Sequence, residues 1–309
     1  MLIDRSNYIT FDSWKKEYIK HIDITISKFM PQENTKPCLL HKAMRYAVLN
    51  GGKRIRALLV YASSELCSLF CEIDHKEYYE FLDKIMVAIE LIHAYSLIHD
   101  DLPCMDNDDL RRGLPSTHIK FNEALALLAG DALQALAFNL LSNINISNKD
   151  IIIESIQILS HSIGSFGMVG GQSIDINSNK MLLSYENLKE MHMMKTGNLI
   201  SSSIILPSII CMLKKDKKNI LLQYANLLGL AFQITDDILD ITSETHIIGK
   251  TKNKDIKQLK NTYVSLLGVK KAKEHVVNII DHSNILLKKL TKEHTRLSDI
   301  ANFILYRNN

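Results

Sequence analysis

Two runs of carboxylates stand out in the sequence. The first is Asp100-Asp101-Leu102-Pro103-Cys104-Met105-Asp106, continued by Asn107, Asp108 and Asp109 and then by Arg111-Arg112; the second is Asp236-Asp237-Ile238-Leu239-Asp240. Asp236 and Asp240 are four apart and so share one face of a helix. A spacing of six does not return Asp106 to the face of Asp100 on a straight helix, and Pro103 supplies a turn that can bring it back. Either run alone reads as a solvated helix end. Both, however, follow largely apolar helix, Ile92 to Ile98 and Leu227 to Ile234, which sets the acids at the mouth of an apolar space. Close like charges repel unless a cation neutralises them. Carboxylates without His or Cys select a hard ion, and magnesium shared with a phosphate is the usual arrangement.

The bases complete that electrostatic pattern. Gly51-Gly52-Lys53-Arg54-Ile55-Arg56 places three cations after a flexible turn at a helix start, where free backbone amides also favour anions. Taken alone, this hexapeptide is an ordinary surface patch. Arg111, Arg112, Lys195, Lys250 and Lys260 are further cations able to reach the same mouth. Acid clusters with scattered bases fit two anionic groups, one held through magnesium and one held directly, the layout for a pair of diphosphates.

Helices must position these groups. Of 309 residues 46% are apolar, enough for a sizeable core, and only 12 Gly and 5 Pro interrupt them. No Pro occurs from Cys38 to Leu102 or after Pro207, too few breaks for a many-stranded β protein. The fold class is therefore all-α. Helical periodicity runs over Leu39 to Asn50, Ile55 to Leu69, Tyr78 to Asp101, Asn122 to Leu141, Asp150 to Ile163, Tyr185 to Cys211, Ile220 to Ile241, Tyr263 to Leu290 and Asp299 to Leu305. The long charged connections are Pro103 to Lys120 and Thr242 to Thr262, and the second, rich in lysine, is expected to be a lid that orders over substrate.

Thirty-seven Lys+Arg against 34 Asp+Glu leave a net charge of +3, too balanced for a general nucleic-acid binder. Five cysteines, an odd number without a Cys-x-x-Cys pair, read as buried thiols in a reducing compartment. Met1 to Lys16 has no continuous apolar segment of the signal-peptide kind, and Leu199 to Leu213 is interrupted by four serines and Pro207. A soluble cytoplasmic protein without integral membrane association is expected.

In chain order, the strings Gly-Gly-Lys-Arg-Ile-Arg at 51 to 56, His-Ala-Tyr-Ser-Leu-Ile-His-Asp-Asp-Leu-Pro at 93 to 103, Arg-Arg-Gly-Leu-Pro at 111 to 115, Ala-Gly-Asp-Ala-Leu-Gln at 129 to 134, Gly-Gly-Gln at 170 to 172, Lys-Thr-Gly at 195 to 197, Phe-Gln-Ile-Thr-Asp-Asp-Ile-Leu-Asp at 232 to 240 and Gly-Lys at 249 to 250 span nearly the whole chain. Together they resemble the trans-isoprenyl diphosphate synthases, and within them the bacterial farnesyl diphosphate synthases. The resemblance implies one polyprenyl synthase domain over residues 1–309, with antiparallel helices around a deep apolar cavity in the isoprenoid synthase fold. It implies a homodimer that condenses isopentenyl diphosphate with dimethylallyl and then geranyl diphosphate. It further implies that Asp100, Asp106 and Asp236 bind three magnesium ions, supported by Asp101, Asp237 and Asp240. Arg111, Lys195, Lys250 and Lys260 would hold the allylic diphosphate, and Gly52, Lys53, Arg56, His93 and Arg112 isopentenyl diphosphate. Lys195, Thr196 and Gln233 would be catalytic, the oxygens of Thr196 and Gln233 facing the carbocation, with the released diphosphate removing the proton. Two positions depart from the family: Ala57 stands where Pro is common and Asn253 where Gly is usual.

The spacing itself agrees at one point, since His93 lies seven residues before Asp100, two helical turns away on one face. Tyr95 lies five before Asp100, roughly 7.5 Å deeper along a helix. Tyr95 is thus the expected floor for a fifteen-carbon product, with small Ser96 leaving the passage above it open. The competing reading is that Tyr95 packs between helices. A geranylgeranyl synthase, a terpene cyclase and a non-catalytic prenyltransferase subunit are the alternatives. A cyclase has no second diphosphate for Lys53, Arg56 and His93, and a non-catalytic subunit tends to lose aspartates that are intact here. A metal phosphohydrolase built on His99-Asp100 is disfavoured, because adjacent helical residues point about 100° apart.

Overall fold

The computed structural model describes residues 10–71, 75–178, 183–242 and 261–307. Helix α1 (Phe11–Phe29) starts at the Thr10 cap, whose hydroxyl accepts from the Ser13 amide, and turns Trp14, Tyr18, Ile22 and Ile26 inward at four-residue spacing. Helix α2 (Cys38–Leu49) stops before Gly51 and Gly52, both at positive φ, and α3 (Ile55–Cys67) begins after that turn. Helix α4 (His75–Asp100) ends at the first aspartate run. The following loop holds a two-residue antiparallel ladder, β1 (Leu110–Arg111) with β2 (Leu114–Pro115), in which Leu110 pairs with Pro115.

The chain continues through α5 (Thr117–Lys120), α6 (Glu123–Ser142), α7 (Asp150–Ile163), α8 (Met168–Asn177) and α9 (Tyr185–His192). A π-helical turn, Met193–Gly197, joins α9 directly to α10 (Asn198–Ile210). Then come α11 (Lys215–Thr242), α12 (Tyr263–Leu267), α13 (Val269–Leu290) and α14 (Arg296–Tyr306). The sequence expectation of one run from Tyr263 to Leu290 is interrupted, because Gly268 at φ +75° separates α12 from α13.

The core lies where α3, α4, α10 and α11 meet. Helix α4 packs chiefly on α6, α11 on α13, and α10 between α3 and α11. Helix α10 is buried throughout, and its serines find partners: Ser201 with Asn226, Ser202 with Ser162, Ser203 with the Leu199 carbonyl and Ser208 with the Ile205 carbonyl. The segment weighed from sequence as a membrane candidate is thus a core helix whose polar groups are satisfied internally. Among the described residues, α6 is the one helix long and apolar enough to cross a membrane, and 39% of that stretch is buried. Its outer face exposes Leu127 and Leu128.

Candidate active site

Both carboxylate runs open on one cavity of about 1000 Å³. The chain turns after α4 as Pro103 requires: Asp106 N–H donates to the Asp100 carbonyl at 2.8 Å, and Asp108 N–H to the Asp101 carbonyl at 3.1 Å. Asp100 and Asp106 therefore line the cavity together, and Asp236 and Asp240 line it from α11. Asp101 is placed differently. It is buried, turns away from the cavity and binds the Arg111 guanidinium, accepting from Nε at 3.1 Å on each oxygen. Its support for the acid cluster runs through Arg111. Asp237 lines the cavity but is buried as well, accepting from the Tyr263 amide at 2.7 Å and the Gln233 amide at 2.8 Å.

The basic hexapeptide divides into two roles. Arg54 is spent internally, in ion pairs of 3.0 Å with Glu90 and with Asp23. Lys53 and Arg56 face the cavity with His93 and Arg112, while Arg112 hydrogen-bonds the Gly51 carbonyl. The His93 pKa lies well below its ordinary value, through burial and then the neighbouring charges of Arg56, Arg112, Arg111 and Arg54. A neutral His93 can therefore accept from Arg56 Nη1 at 3.3 Å. Burial, and then Arg307, lower the Lys53 pKa. Such crowding of like charges is relieved by an incoming anion. Ala57, at the position where Pro was expected, donates its backbone N–H to Glu90 at 3.3 Å, a bond Pro lacks. Lys250, Lys260, Asn253 and all of the expected lid but its ends at Thr242, Asn261 and Thr262 lie outside the described residues.

Lys195 and Thr196 sit in the π-helical turn, where the Asn198 amide reaches back five residues to the Met193 carbonyl. Two glycines let neighbouring helices clamp that turn. A Cβ at Gly171 of α8 would lie 2.3 Å from Lys195 N, and one at Gly229 of α11 would lie 2.9 Å from Gly197 Cα. The close approach puts Thr196 Oγ1 3.0 Å from Gln233 Oε1 and Lys195 Nζ 2.5 Å from Asp175. Gln233 is fixed in turn by Asp237, so the Thr196 hydroxyl must donate to the amide oxygen. Burial opposes the charge on Lys195, yet Asp175, Asp100 and Asp106 together raise its pKa.

Tyr95 and Ser96, a turn or more before Asp100 on α4, also line the cavity, with Tyr95 only 6% exposed. The cavity continues between apolar side chains that include Leu97, Met168 and Ile176.

Three residues here escaped the sequence reading. Asp175 was signalled by its place three residues after the Gly-Gly-Gln string. Gln172 lies in that string and is buried with neither amide atom hydrogen-bonded among the described residues. Arg307 had no signal, since one Arg at a chain end has no spacing to read; it leaves α14 to pair with Asp236.

The donor set suits magnesium. The side chains of the two clusters on the cavity wall are carboxylates, and the second cluster already holds a cation, the Arg307 guanidinium. Among the described residues no three His, Cys, Asp or Glu side chains converge as a metal cage. An ion there must take further oxygens from water or a ligand, as magnesium does when it is held by one or two carboxylates and a phosphate.

The polyprenyl synthetase family model matches residues 37–301. The chain is 39% identical over 300 residues to farnesyl diphosphate synthase of Escherichia coli, covering 94% of this chain and 96% of that one. It is 38% identical over 306 residues to geranylgeranyl diphosphate synthase of Cyanophora paradoxa, covering 98% and 97%. The crystal structure of a geranyltransferase from Helicobacter pylori, complexed with magnesium and isoprenyl diphosphate, superposes with a TM-score of 0.83 at 35% identity, covering 96% of this chain and 97% of that one. The fold is that of the isoprenoid synthases, and the chain belongs to the polyprenyl synthetase family as a trans-prenyl diphosphate synthase.

Proposed function

We propose that this prenyltransferase joins isopentenyl diphosphate head to tail to dimethylallyl diphosphate and then to geranyl diphosphate, and releases (2E,6E)-farnesyl diphosphate. Relatives of nearly equal identity are named for fifteen- and for twenty-carbon products, so chain length must be argued from the cavity. The observation that carries the reading is Tyr95, a large side chain lining the cavity wall more than a turn before Asp100 on α4. A tail growing away from the acids meets that ring.

Asp100, Asp106 and Asp236, supported by Asp240 and by the Gln233-bound Asp237, are suited to hold three magnesium ions on the allylic diphosphate. When bound, the metal would supply charge withdrawal from the leaving diphosphate. Lys195, kept protonated by Asp175, and Arg111, oriented by Asp101, face the same leaving group. Their charges favour the ionised state over the intact ester, which is where electrostatic catalysis acts. Lys53, Arg56, Arg112 and neutral His93 hold isopentenyl diphosphate on the other side. The oxygens of Thr196 and Gln233 face the allylic cation, and the apolar wall keeps water from it. No side chain is assigned as base, because the departing diphosphate can take the proton.

A homodimer accompanies this reading. Helix α6 is apolar on its outer face as well as its inner one, with Leu127 47% and Leu128 52% exposed, and an isologous contact would cover that face. Five free thiols suit a reducing cytoplasm.

Incubation with magnesium, labelled isopentenyl diphosphate and dimethylallyl or geranyl diphosphate tests the function. A fifteen-carbon diphosphate is expected from both primers. A twenty-carbon main product would favour the geranylgeranyl alternative, and a cyclised hydrocarbon would overturn the reaction class.

A further inference from the structure

Tyr95 does not stand alone in the cavity wall. Its ring meets the imidazole of His99 edge to face, with centroids 5.5 Å apart and planes at 82°. His99 in turn leans on α6, with Nε2 3.1 Å from the Leu127 carbonyl and 3.8 Å from Asp131 Oδ1. Donation to that carbonyl requires the tautomer protonated at Nε2. The imidazole fills the room of an absent side chain: a Cβ at Gly130 would lie 2.2 Å from His99 Nε2 and 2.5 Å from Cδ2. Burial raises the Tyr95 pKa, and Gln134, one turn further along α6, opposes that rise. Gly130 and Gln134 are four apart and so share one face of α6, while Leu127 contributes only its backbone carbonyl to the contact with His99.

We infer that His99, seated in the notch at Gly130, is a positioning residue that fixes the Tyr95 ring and thereby sets the length at which the prenyl chain stops. The inference rests on the reading of Tyr95 as the floor of the cavity. Its physical content is that a floor stops a growing chain only if it cannot swing aside. A tyrosine on a helix has rotamers open to it unless neighbours close them. His99 closes one side, and its contact with the Leu127 carbonyl backs it against α6. Gly130 is small because the imidazole needs its place, and no turn demands a glycine in the middle of α6.

The test is a product-length cycle, run with geranyl diphosphate, excess isopentenyl diphosphate and magnesium on four full-length variants, each first checked for folding by circular dichroism. The readout is the ratio of twenty- to fifteen-carbon product. A general loss of rate leaves that ratio unmoved. Tyr95→Ala should raise it at least tenfold. His99→Ala removes the buttress without a clash and should raise it at least threefold. Gly130→Ala should change it at least threefold, since the imidazole cannot keep its seat. The double variant Tyr95→Ala/His99→Ala should match Tyr95→Ala alone, because His99 then has no ring to hold. If Tyr95→Ala lengthens the product while His99→Ala and Gly130→Ala keep the wild-type ratio, the positioning role is overturned and the floor stands. Additive effects in the double variant overturn it too. If Tyr95→Ala itself does not lengthen the product, the floor reading and the inference fall together.

Discussion

The guanidinium of Arg307 and the carboxylate of Asp236 form an ion pair at the cavity mouth, with the arginine buried and its charged centre 4.2 Å from the middle of the Phe232 ring. A cation entering the second cluster must displace this one. Arg307→Gln should therefore bind manganese about fivefold more tightly without substrate, the equivalent of about 1 kcal/mol for a pair with one exposed partner. Titration of free manganese by electron paramagnetic resonance measures it. Unchanged or weaker binding would show that Arg307 does not compete.

Asp100→Ala and Asp236→Ala should each abolish turnover, but their stabilities should differ. Asp100 is removed from the rim of the cavity without opening the core. Removing Asp236 leaves the buried Arg307 charge without its partner, at a cost of about 1–3 kcal/mol. Thermal unfolding beside the condensation assay decides this, and a near-normal rate in either variant sinks the metal-ligand assignment.

Asp175→Asn should move the alkaline limb of kcat/KM to lower pH. Lys195 is buried, and its raised pKa depends first on Asp175 and then on Asp100. Without Asp175, desolvation gains weight and the ammonium gives up its proton earlier. The wild-type pairing adds stability below the unfolded lysine pKa and loses it as pH rises through the raised folded value, so the variant should also be less stable near neutrality. A pH–rate profile with an unmoved limb would contradict this.

His192→Phe should gain on the wild type in acid. His192 stacks on Tyr263 at 5.4 Å, and neither ring nitrogen has a hydrogen-bond partner among the described residues. Burial pushes its pKa down to about 3, with Asp175 opposing and Lys195 assisting. Below about pH 6.5 the unfolded chain takes up a proton that the folded one refuses, so wild-type stability falls as pH falls towards that lowered value. Between pH 8 and pH 5 the difference should move by about 2 kcal/mol in favour of the variant. Urea unfolding at the two pH values measures it; His93 contributes to the slope in both proteins and drops out. A pH-independent difference would mean that His192 takes up its proton in the fold as readily as in the unfolded chain.

Much of this arrangement is legible in the sequence because it depends on local rules. The scarcity of Pro and Gly announces helices, the i,i+4 spacing puts Asp236 and Asp240 on one wall, and Pro103 turns the chain so that Asp106 rejoins Asp100. For the same reason His93 and Asp100, two turns apart on α4, both line the cavity. What was missed depends on distant contacts. The Trp14, Tyr18, Ile22 and Ile26 stripe of α1 is the exception, a four-residue repeat present in the sequence itself. Helix α8 carries two glycines among ten residues, and only its contact with the π turn explains them. Asp101 looked like a metal ligand by type, and the approach of Arg111 from the β1 ladder turns it elsewhere. Arg307 reaches Asp236 across 71 residues, a separation no motif encodes.

The π turn at Met193–Gly197 closes its backbone bond over five residues where an α-turn needs four, so it absorbs one residue more than a plain helix would over the same rise. The flanking helices α9 and α10 thereby keep their own packing while Lys195 and Thr196 meet Asp175 and Gln233. Deleting one residue from the turn should remove this slack. A continuous helix would then turn one flank by about 100° against the other, so that the two side chains and the buried face of α10 could not both keep their present neighbours.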